Sequence, residues 1–206
     1  MLCTALTRLS TIACLISPRM QQIARAGEAE QTINKSRFIA RVLHCEDERA
    51  VAQFLRGFAA ENSQAHHLAF AFRILQGRSV VERSSDAGEP AGTAGMPILQ
   101  HLTGRDLVNC CVGVIRYYGG INLGTGGLVR AYGGTARLAL DACTLAPYVE
   151  MQSVQLTLDY HRLDHFIRDL DKIGGAVIDR QFSETVTVTI HAPAAEIPAL
   201  IGRYQK

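Results

Sequence analysis

The chain has 206 residues, of which 48% are hydrophobic and 19% are charged, and its formal net charge is +2. This composition is typical of a globular protein and excludes disorder over most of the length. The length allows one or two domains that each bury a core. No apolar stretch approaches the roughly 20 residues that cross a bilayer, so the sequence predicts no membrane partner.

Charge is distributed unevenly along the chain. Residues 1–148 hold fifteen Lys and Arg against eleven Asp and Glu, whereas residues 149–206 hold six against eight. The first part therefore has a net charge of +4 and the second a net charge of −2. A basic first part fits a polyanionic partner such as RNA, and an ordinary solvated surface explains the same difference.

Cysteine spacing argues against a metal centre. The six cysteines form no CxxC pair and no zinc-finger spacing with histidine; they stand at positions 3, 14, 45, 110, 111 and 143. Reduced thiols of a cytoplasmic protein are the simplest interpretation, and we expect neither a metal nor a cofactor.

Residues 1–19 contain Arg but no acid, and we expect a disordered or non-essential extension there.

Hydrophobic periodicity predicts the elements of two α+β domains, with period two for strands and helical spacing for helices. Residues 20–147 form the first domain, with this predicted order: strand 35–44, helix 46–60, strand 66–75, loop 76–95, helix 93–102, strand 107–118, and a helix that ends near residue 143. Residues 148–206 form the second domain, with this predicted order: strand 149–159, helix 161–173, strand 176–182, strand 185–191 and helix 194–204.

The first two strands carry candidate binding groups. Lys35, Arg37 and Arg41 lie on the face opposite the apolar residues, where they either follow a phosphate backbone or form a solvated sheet face. On the second strand His66 shares the apolar face, which predicts a hydrogen-bonded core histidine. His67 lies on the other face, beside alanines, where an acid–base role is a weaker alternative.

A glycine-rich loop after the central strand is the sharpest candidate site. Residues 119–127 read GGINLGTGG and open into a helix. Such a turn exposes backbone N–H groups at the positive end of the helix dipole, which suits an anion. Arg116 precedes the loop and Arg130 follows one turn into the helix. The alternative is that these glycines only permit close packing and left-handed turns.

A second candidate loop, residues 84–95, contains Asp86 and Glu89. The two carboxylates are either an acid–base or cation-binding pair, or they cap the next helix and hold the loop by backbone hydrogen bonds. We favour the structural role.

Four segments in this order are similar to motifs of the YigZ/Impact family: residues 35–39, 65–67, 86–95 and 116–132. The resemblance covers about residues 20–143, and the tail resembles the smaller C-terminal domain of bacterial members. It implies a first domain with the fold shared by the fourth domain of elongation factor G and a ribosomal protein. It implies a ferredoxin-like second domain, and a role in RNA binding or translation.

Two departures from the family pattern bear on these expectations. Ala87 stands where the family loop has a second acid, which weakens a metal or acid–base role for that loop. The β-α-β-β-α order of the second domain lacks the final strand of a ferredoxin-like fold, which leaves a sheet edge uncovered unless a partner pairs with it.

The sequence thus favours a non-catalytic protein that binds RNA or the ribosome and is linked to the regulation of translation. The predicted phosphate-binding groups are Lys35, Arg37, Arg116, Gly124, Thr125, Gly126, Gly127 and Arg130. One alternative is an enzyme or sensor for a phosphorylated small molecule or nucleotide at the glycine loop, with His67, Asp86 or Glu89 as acid–base groups. Another is a regulator that binds only a translation-related protein.

Overall fold

The computed structural model describes residues 20–77 and 79–204, and the predicted extension 1–19 lies outside them. The chain divides after Tyr148 into two compact units. The described part of the first unit contains β1 (Gln21–Arg25), β2 (Gly27–Ile33), β3 (Ser36–His44), α1 (Glu48–Glu61), β4 (His67–Gln76), β5 (Ser79–Ser85), α2 (Gly95–Gly104), β6 (Cys110–Tyr117), α3 (Gly124–Asp141) and β7 (Thr144–Pro147).

Five strands of the first unit form one antiparallel sheet in the order β2-β3-β6-β4-β5. The predicted buried strand, β6, is its centre, and seven of its eight residues are buried. It starts at Cys110 rather than at residue 107, because Asp106 and Asn109 turn the chain at positive φ of 51° and 52°. The remaining two strands, β1 and β7, pair separately.

Both faces of the five-stranded sheet are covered. On one face Phe38 of β3 packs edge-on against Tyr132 of α3 at 5.3 Å between ring centroids, and both side chains are fully buried. On the other face Ile39 and Ile74 pack against α1, whose Phe58 is also buried. Removal of this apolar surface from water is the main stabilising contribution to the unit.

The prediction that β3 has only one buried face is therefore wrong. Ile39 is buried on the supposedly polar face, and the guanidinium carbon of Arg41 lies 4.6 Å from the centroid of the Phe58 ring. Arg41 also pairs with Glu28 at 3.0 Å and with Glu61 at 2.8 Å. A long guanidinium side chain can cover a helix with its stem, which a strict alternation of polar and apolar letters does not reveal.

The loop predicted over residues 76–95 is only half correct. Its first part forms β5, an edge strand in which Val80 and Val81 are half-buried between polar neighbours.

Helix α1 begins after Asp47, whose carboxylate accepts a hydrogen bond from the Ala50 N–H at 2.7 Å. This N-cap stabilises the first turn by about 1 kcal/mol.

The second unit, described to residue 204, contains β8 (Met151–Leu158), α4 (Tyr160–Lys172), β9 (Ala176–Phe182), β10 (Val186–Pro193) and α5 (Ile197–Tyr204). This is the predicted element order, and the strands form an antiparallel sheet in the order β8-β10-β9. Alternate residues of β10 face a separate core that includes Phe166 of α4 and Leu200 of α5. The unit therefore has its own hydrophobic core.

Candidate functional site

The motifs singled out in the sequence meet at one end of the five-stranded sheet. The antiparallel register sets Arg37 of β3 opposite Tyr117 of β6, and His67 of β4 opposite Arg116 of β6. The acidic loop follows β5 at the same end, since Ser85 pairs with Phe70 of β4. We call this region, with the first turns of α3, the site end of the sheet.

The glycine loop is held closely against the β2–β3 turn. A Cβ on Gly119 would lie 2.1 Å from the carbonyl carbon of Lys35, so only glycine fits there. The N–H of Gly119 donates to Ser36 Oγ at 3.2 Å. Gly124 has a φ of 69°, in the left-handed region that favours glycine. The packing role and the anion-binding role of these glycines are therefore compatible.

The first turn of α3 is open to solvent and has no side-chain cap. Its N-cap residue, Leu123, makes no capping hydrogen bond, and no acid stands in the first turn. Gly124, Thr125 and Gly126 are exposed. The N–H groups of a helix's first turn lack intrahelical partners and lie at the positive end of the dipole. This end of α3 therefore suits an anion.

Arg130 and Lys35 add positive charge at the site end. Both are exposed, and neither forms an ion pair with any residue that the structure describes. A Cβ on Gly126 would lie 3.5 Å from Arg130 Nη1, so this guanidinium folds back over the first turn of α3. Lys35 lies in the β2–β3 turn, in contact with Gly119.

Arg116 lies beneath this surface in a buried ion pair. Its Nη1 donates to Glu89 Oε1 at 2.8 Å, and the exposed fractions of the two side chains are 6% and 5%. Tyr132 donates its hydroxyl to the same oxygen at 2.7 Å. Burial, followed by this bond to Glu89, raises the pKa of Tyr132. Arg116 Nη2 also donates to Ser36 Oγ at 3.3 Å, whereas its buried Nε has no partner.

Arg37 is exposed but already has an acidic partner. Its Nε donates to Glu30 Oε1 at 2.6 Å and its Nη2 to Oε2 at 2.8 Å, across the β2–β3 hairpin. The hydrogen bond from Arg37 lowers the pKa of Glu30. A phosphate at Arg37 would therefore compete with a bidentate carboxylate, unlike one at Arg130.

Asp86 and Glu89 do not act as a pair. The carboxylate of Asp86 accepts hydrogen bonds from the N–H groups of Gly92, Ala94 and Gly95 at 2.8–2.9 Å. Partial burial opposes its ionisation, but these three bonds outweigh that effect and lower its pKa. Asp86 thus holds the loop that leads into α2, which is the structural role, while Glu89 turns toward Arg116.

The two histidines lie in different surroundings. His66 is exposed, and its Nδ1 accepts a hydrogen bond from the Tyr118 N–H at 3.2 Å, so the prediction of a core histidine is wrong. His67 is half-buried. Its Nδ1 lies 2.9 Å from the carbonyl oxygen of Ala87, and its Nε2 lies 3.9 Å from Glu89 Oε1.

A cavity of about 510 Å³ opens at the site end. His67, Glu89 and Arg116 line it together with Leu123 and the Gly124–Thr125 start of α3. Its volume is within the range of small-ligand sites. The cavity joins three of the sequence motifs, and its apolar lining comes from residues that the sequence did not single out as functional.

Three of the four described cysteines are buried in the first unit, and Cys143 is partly buried. Burial raises the pKa of Cys45 to about 11 and that of Cys110 to about 12, so these thiols stay protonated.

Within residues 20–77 and 79–204 no group of three or more His, Cys, Asp or Glu is arranged to hold a metal ion. No helix in the same ranges is long and apolar enough to cross a membrane.

Comparison with known proteins gives consistent matches. A family model described as the Impact N-terminal domain matches residues 34–140. The IMPACT family member YigZ of Escherichia coli is 36% identical over 168 residues, which cover 81% of this chain and 82% of that protein. The IMPACT family member YvyE of Bacillus subtilis is 31% identical over 86% of this chain and 81% of its own length. A crystal structure of a hypothetical protein superposes with a TM-score of 0.68 at 34% identity and covers 89% of both chains.

Proposed function

Since the chain belongs to the IMPACT family, we propose that it is a cytoplasmic, translation-linked protein that binds RNA or the RNA surface of the ribosome without chemistry of its own. The binding surface is the site end of the sheet. A link to translation is what the family resemblance implies, and the contacts below supply a way to bind phosphodiesters.

The observation that carries this proposal is the exposed, uncapped first turn of α3 with Arg130 folded over it. Backbone N–H groups at a helix start and an Arg without an acidic partner are both suited to a phosphate oxygen. Lys35 extends the positive surface across the β2–β3 turn. Phosphate contacts of this kind set position and affinity without reading sequence.

The remaining predicted groups contribute in different ways. Arg116 acts through Glu89 and Ser36, by fixing the loop that begins at Gly119, rather than by direct contact with a phosphate. Arg37 joins the surface when phosphate displaces Glu30. Asp86 is occupied by three backbone N–H groups, which supports a structural rather than a catalytic loop.

The two units are independent domains in this proposal, with a boundary near residue 147. In the described residues 149–204, the sheet order β8-β10-β9 with β-α-β-β-α connectivity fits the first five elements of a ferredoxin-like domain. The first unit fits the fold of a ribosomal-protein or elongation-factor domain. Both assignments agree with a role in translation.

Fluorescence anisotropy with labelled single-stranded and structured RNA over a salt series tests the proposal. Binding should weaken as salt rises, with a slope of about −0.7 per phosphate contact on single strands. Arg130→Gln should reduce the magnitude of that slope by about 0.7. Arg137→Gln, on the same helix but paired with Asp141, is the matched control and should leave the slope unchanged.

Thr125→Glu provides the stronger test. An acid in the first turn of α3 is compatible with the helix dipole, so the fold is preserved, but it repels a phosphate. RNA binding should be lost in Thr125→Glu and retained in Thr125→Gln. Binding that does not depend on salt, or that is equal in the two variants, overturns the proposal.

A second candidate function is an enzyme or sensor for a phosphorylated small molecule, which the cavity of about 510 Å³ favours. The phosphate would bind at Gly124 and Thr125, and His67 or Glu89 would contact the rest of the ligand. Thermal-shift measurements with a panel of phosphorylated metabolites distinguish it. A rise in melting temperature without any affinity for RNA supports this function over the first.

A further inference from the structure

Two residues that line the cavity at the site end each keep a hydrogen-bond acceptor without a donor among the described residues. The first belongs to Glu89, whose side chain is only 5% exposed. Both of its hydrogen bonds, from Arg116 and from Tyr132, go to Oε1. Oε2 has no hydrogen-bond donor among the described residues. Oε2 is not fully buried, so it can accept a hydrogen bond from a ligand in the cavity that Glu89 lines.

The second acceptor is Nε2 of His67. A carbonyl oxygen can only accept, so the 2.9 Å contact with Ala87 requires that Nδ1 carries the proton. In the neutral ring Nε2 then has a free lone pair. This atom lies 3.9 Å from Oε1 of the same Glu89 carboxylate, so the two acceptors belong to neighbouring side chains that both line the cavity.

Other residues that line the cavity are suited to an anion and to a flat apolar body. Gly124 and Thr125 contribute the N–H groups of the α3 start, while Leu123 and Leu128 contribute apolar surface. Tyr118 is 40% exposed at the rim, where a base can stack on its ring. A ligand that fits this lining has a phosphate at one end and adjacent N–H donors at the other.

We infer that the cavity binds one guanine nucleotide unit of an RNA strand, an inference that rests on the proposed RNA-binding function. The Watson–Crick edge of guanine carries two neighbouring donors, N1–H and N2–H₂, which match Glu89 Oε2 and His67 Nε2. Adenine, cytosine and uracil each place an acceptor beside the donor on that edge. This base acceptor would face either Glu89 Oε2 or His67 Nε2, and two acceptors repel each other. Single-stranded RNA is commonly read in this way, with an unstacked base bound by its Watson–Crick edge.

Inosine provides the sharpest test, since it differs from guanosine only by the absence of the N2 amino group. We would measure the affinity of the whole chain for the RNA pentamers UUGUU, UUIUU and UUAUU, and for GMP, IMP and AMP. Loss of the hydrogen bond to the half-buried His67 Nε2 should make UUIUU bind about tenfold more weakly than UUGUU, and UUAUU more weakly still. Equal affinity for the three pentamers overturns the inference.

His67→Phe keeps an aromatic ring but removes the acceptor. Its affinity for UUGUU should fall about tenfold, close to that of the wild type for UUIUU, and its affinity for UUAUU should not change. An unchanged preference for UUGUU in a folded His67→Phe variant contradicts the inference. If this variant does not fold, the comparison of ligands on the wild-type chain still decides.

The outcomes separate this inference from the proposed function. Salt-dependent RNA binding that is lost in Thr125→Glu, but without any preference for guanine, supports the function and overturns the inference. Binding of GMP over IMP with no affinity for any pentamer overturns the inference as stated, because the ligand is then a free nucleotide. It also removes RNA as the partner.

Discussion

Glu89 and Arg116 form the buried ion pair beneath the surface proposed to bind RNA. Their side chains are 5% and 6% exposed, so water screens the pair very little. Removal of one partner would leave the other as an uncompensated charge in the interior. The pair also holds Tyr132 of α3, Ser36 of β3 and the loop after β5 together. It is therefore a structural support of the site.

Arg116→Met should lower the free energy of unfolding by about 3–5 kcal/mol, because Glu89 is then buried without its cation. Urea denaturation measures the change. Arg137→Met, which removes one exposed partner of Asp141, should leave the free energy of unfolding nearly unchanged.

The double variant Arg116→Met/Glu89→Gln completes the cycle. It should lose less stability than the sum of the two single variants, because no unpaired charge remains. A loss below about 1 kcal/mol in Arg116→Met alone contradicts a structural role for the pair.

At this scale contacts between distant residues could not be predicted from the sequence, whereas local contacts could. The sequence placed Asp86 and Glu89 in one loop and Arg116 before another, but the two carboxylates looked equivalent. Glu89 and Arg116 are 27 positions apart, and their contact depends on the strand order β6-β4-β5. No local pattern encodes such a pairing. The backbone bonds of Asp86 were predictable because they are local.

In the first unit, helices and buried strands were predicted from periodicity more successfully than edge strands. Helix α1 and strand β6 were predicted within a few residues, since each has a continuous buried stripe or run. Strands β2 and β5 were not predicted as strands. Each lies at an edge of the sheet, where polar residues are tolerated and the apolar alternation is weak.

Two glycines in the first unit should respond oppositely to alanine. Gly57 is exposed within α1, and a Cβ there would meet no atom within 4 Å. Gly57→Ala should therefore raise the free energy of unfolding by about 0.5–1 kcal/mol, through the better helix propensity of alanine. Gly119→Ala should lower it by about 1–3 kcal/mol, because the new Cβ would meet the Lys35 backbone at 2.1 Å.

Thermal denaturation of both variants measures these changes. Gly119→Ala should also weaken RNA binding, since the clash displaces the start of the loop that leads into α3. A melting temperature that falls in Gly57→Ala contradicts this account of the helix position, and one that is unchanged in Gly119→Ala contradicts the account of the loop position.

For the whole molecule, the division into two units has a direct consequence for folding. Each unit has its own core, and every residue of the proposed site lies before Tyr148. A chain that ends at Tyr148 should fold and bind RNA within about twofold of the full chain, as expected for energetically independent parts. Circular dichroism and the anisotropy assay measure the two properties. Failure to fold, or a tenfold loss of affinity, shows that the second unit contributes to the site.

The position of β6 in the sheet also determines when the sheet can be completed during synthesis of the chain. β2 and β3 pair as one hairpin and β4 and β5 as another, and β6 later enters between β3 and β4. The inner edges of β3 and β4 therefore have no β6 to pair with until Tyr117 leaves the ribosome, at about 5–20 residues per second. Ser36 accepts a hydrogen bond from the N–H of Gly119, just after β6, and His67 pairs with Arg116 in β6. The site is thus among the last features of the first unit to assemble, and a pause in elongation before residue 117 would prolong the interval in which the unpaired edges can aggregate.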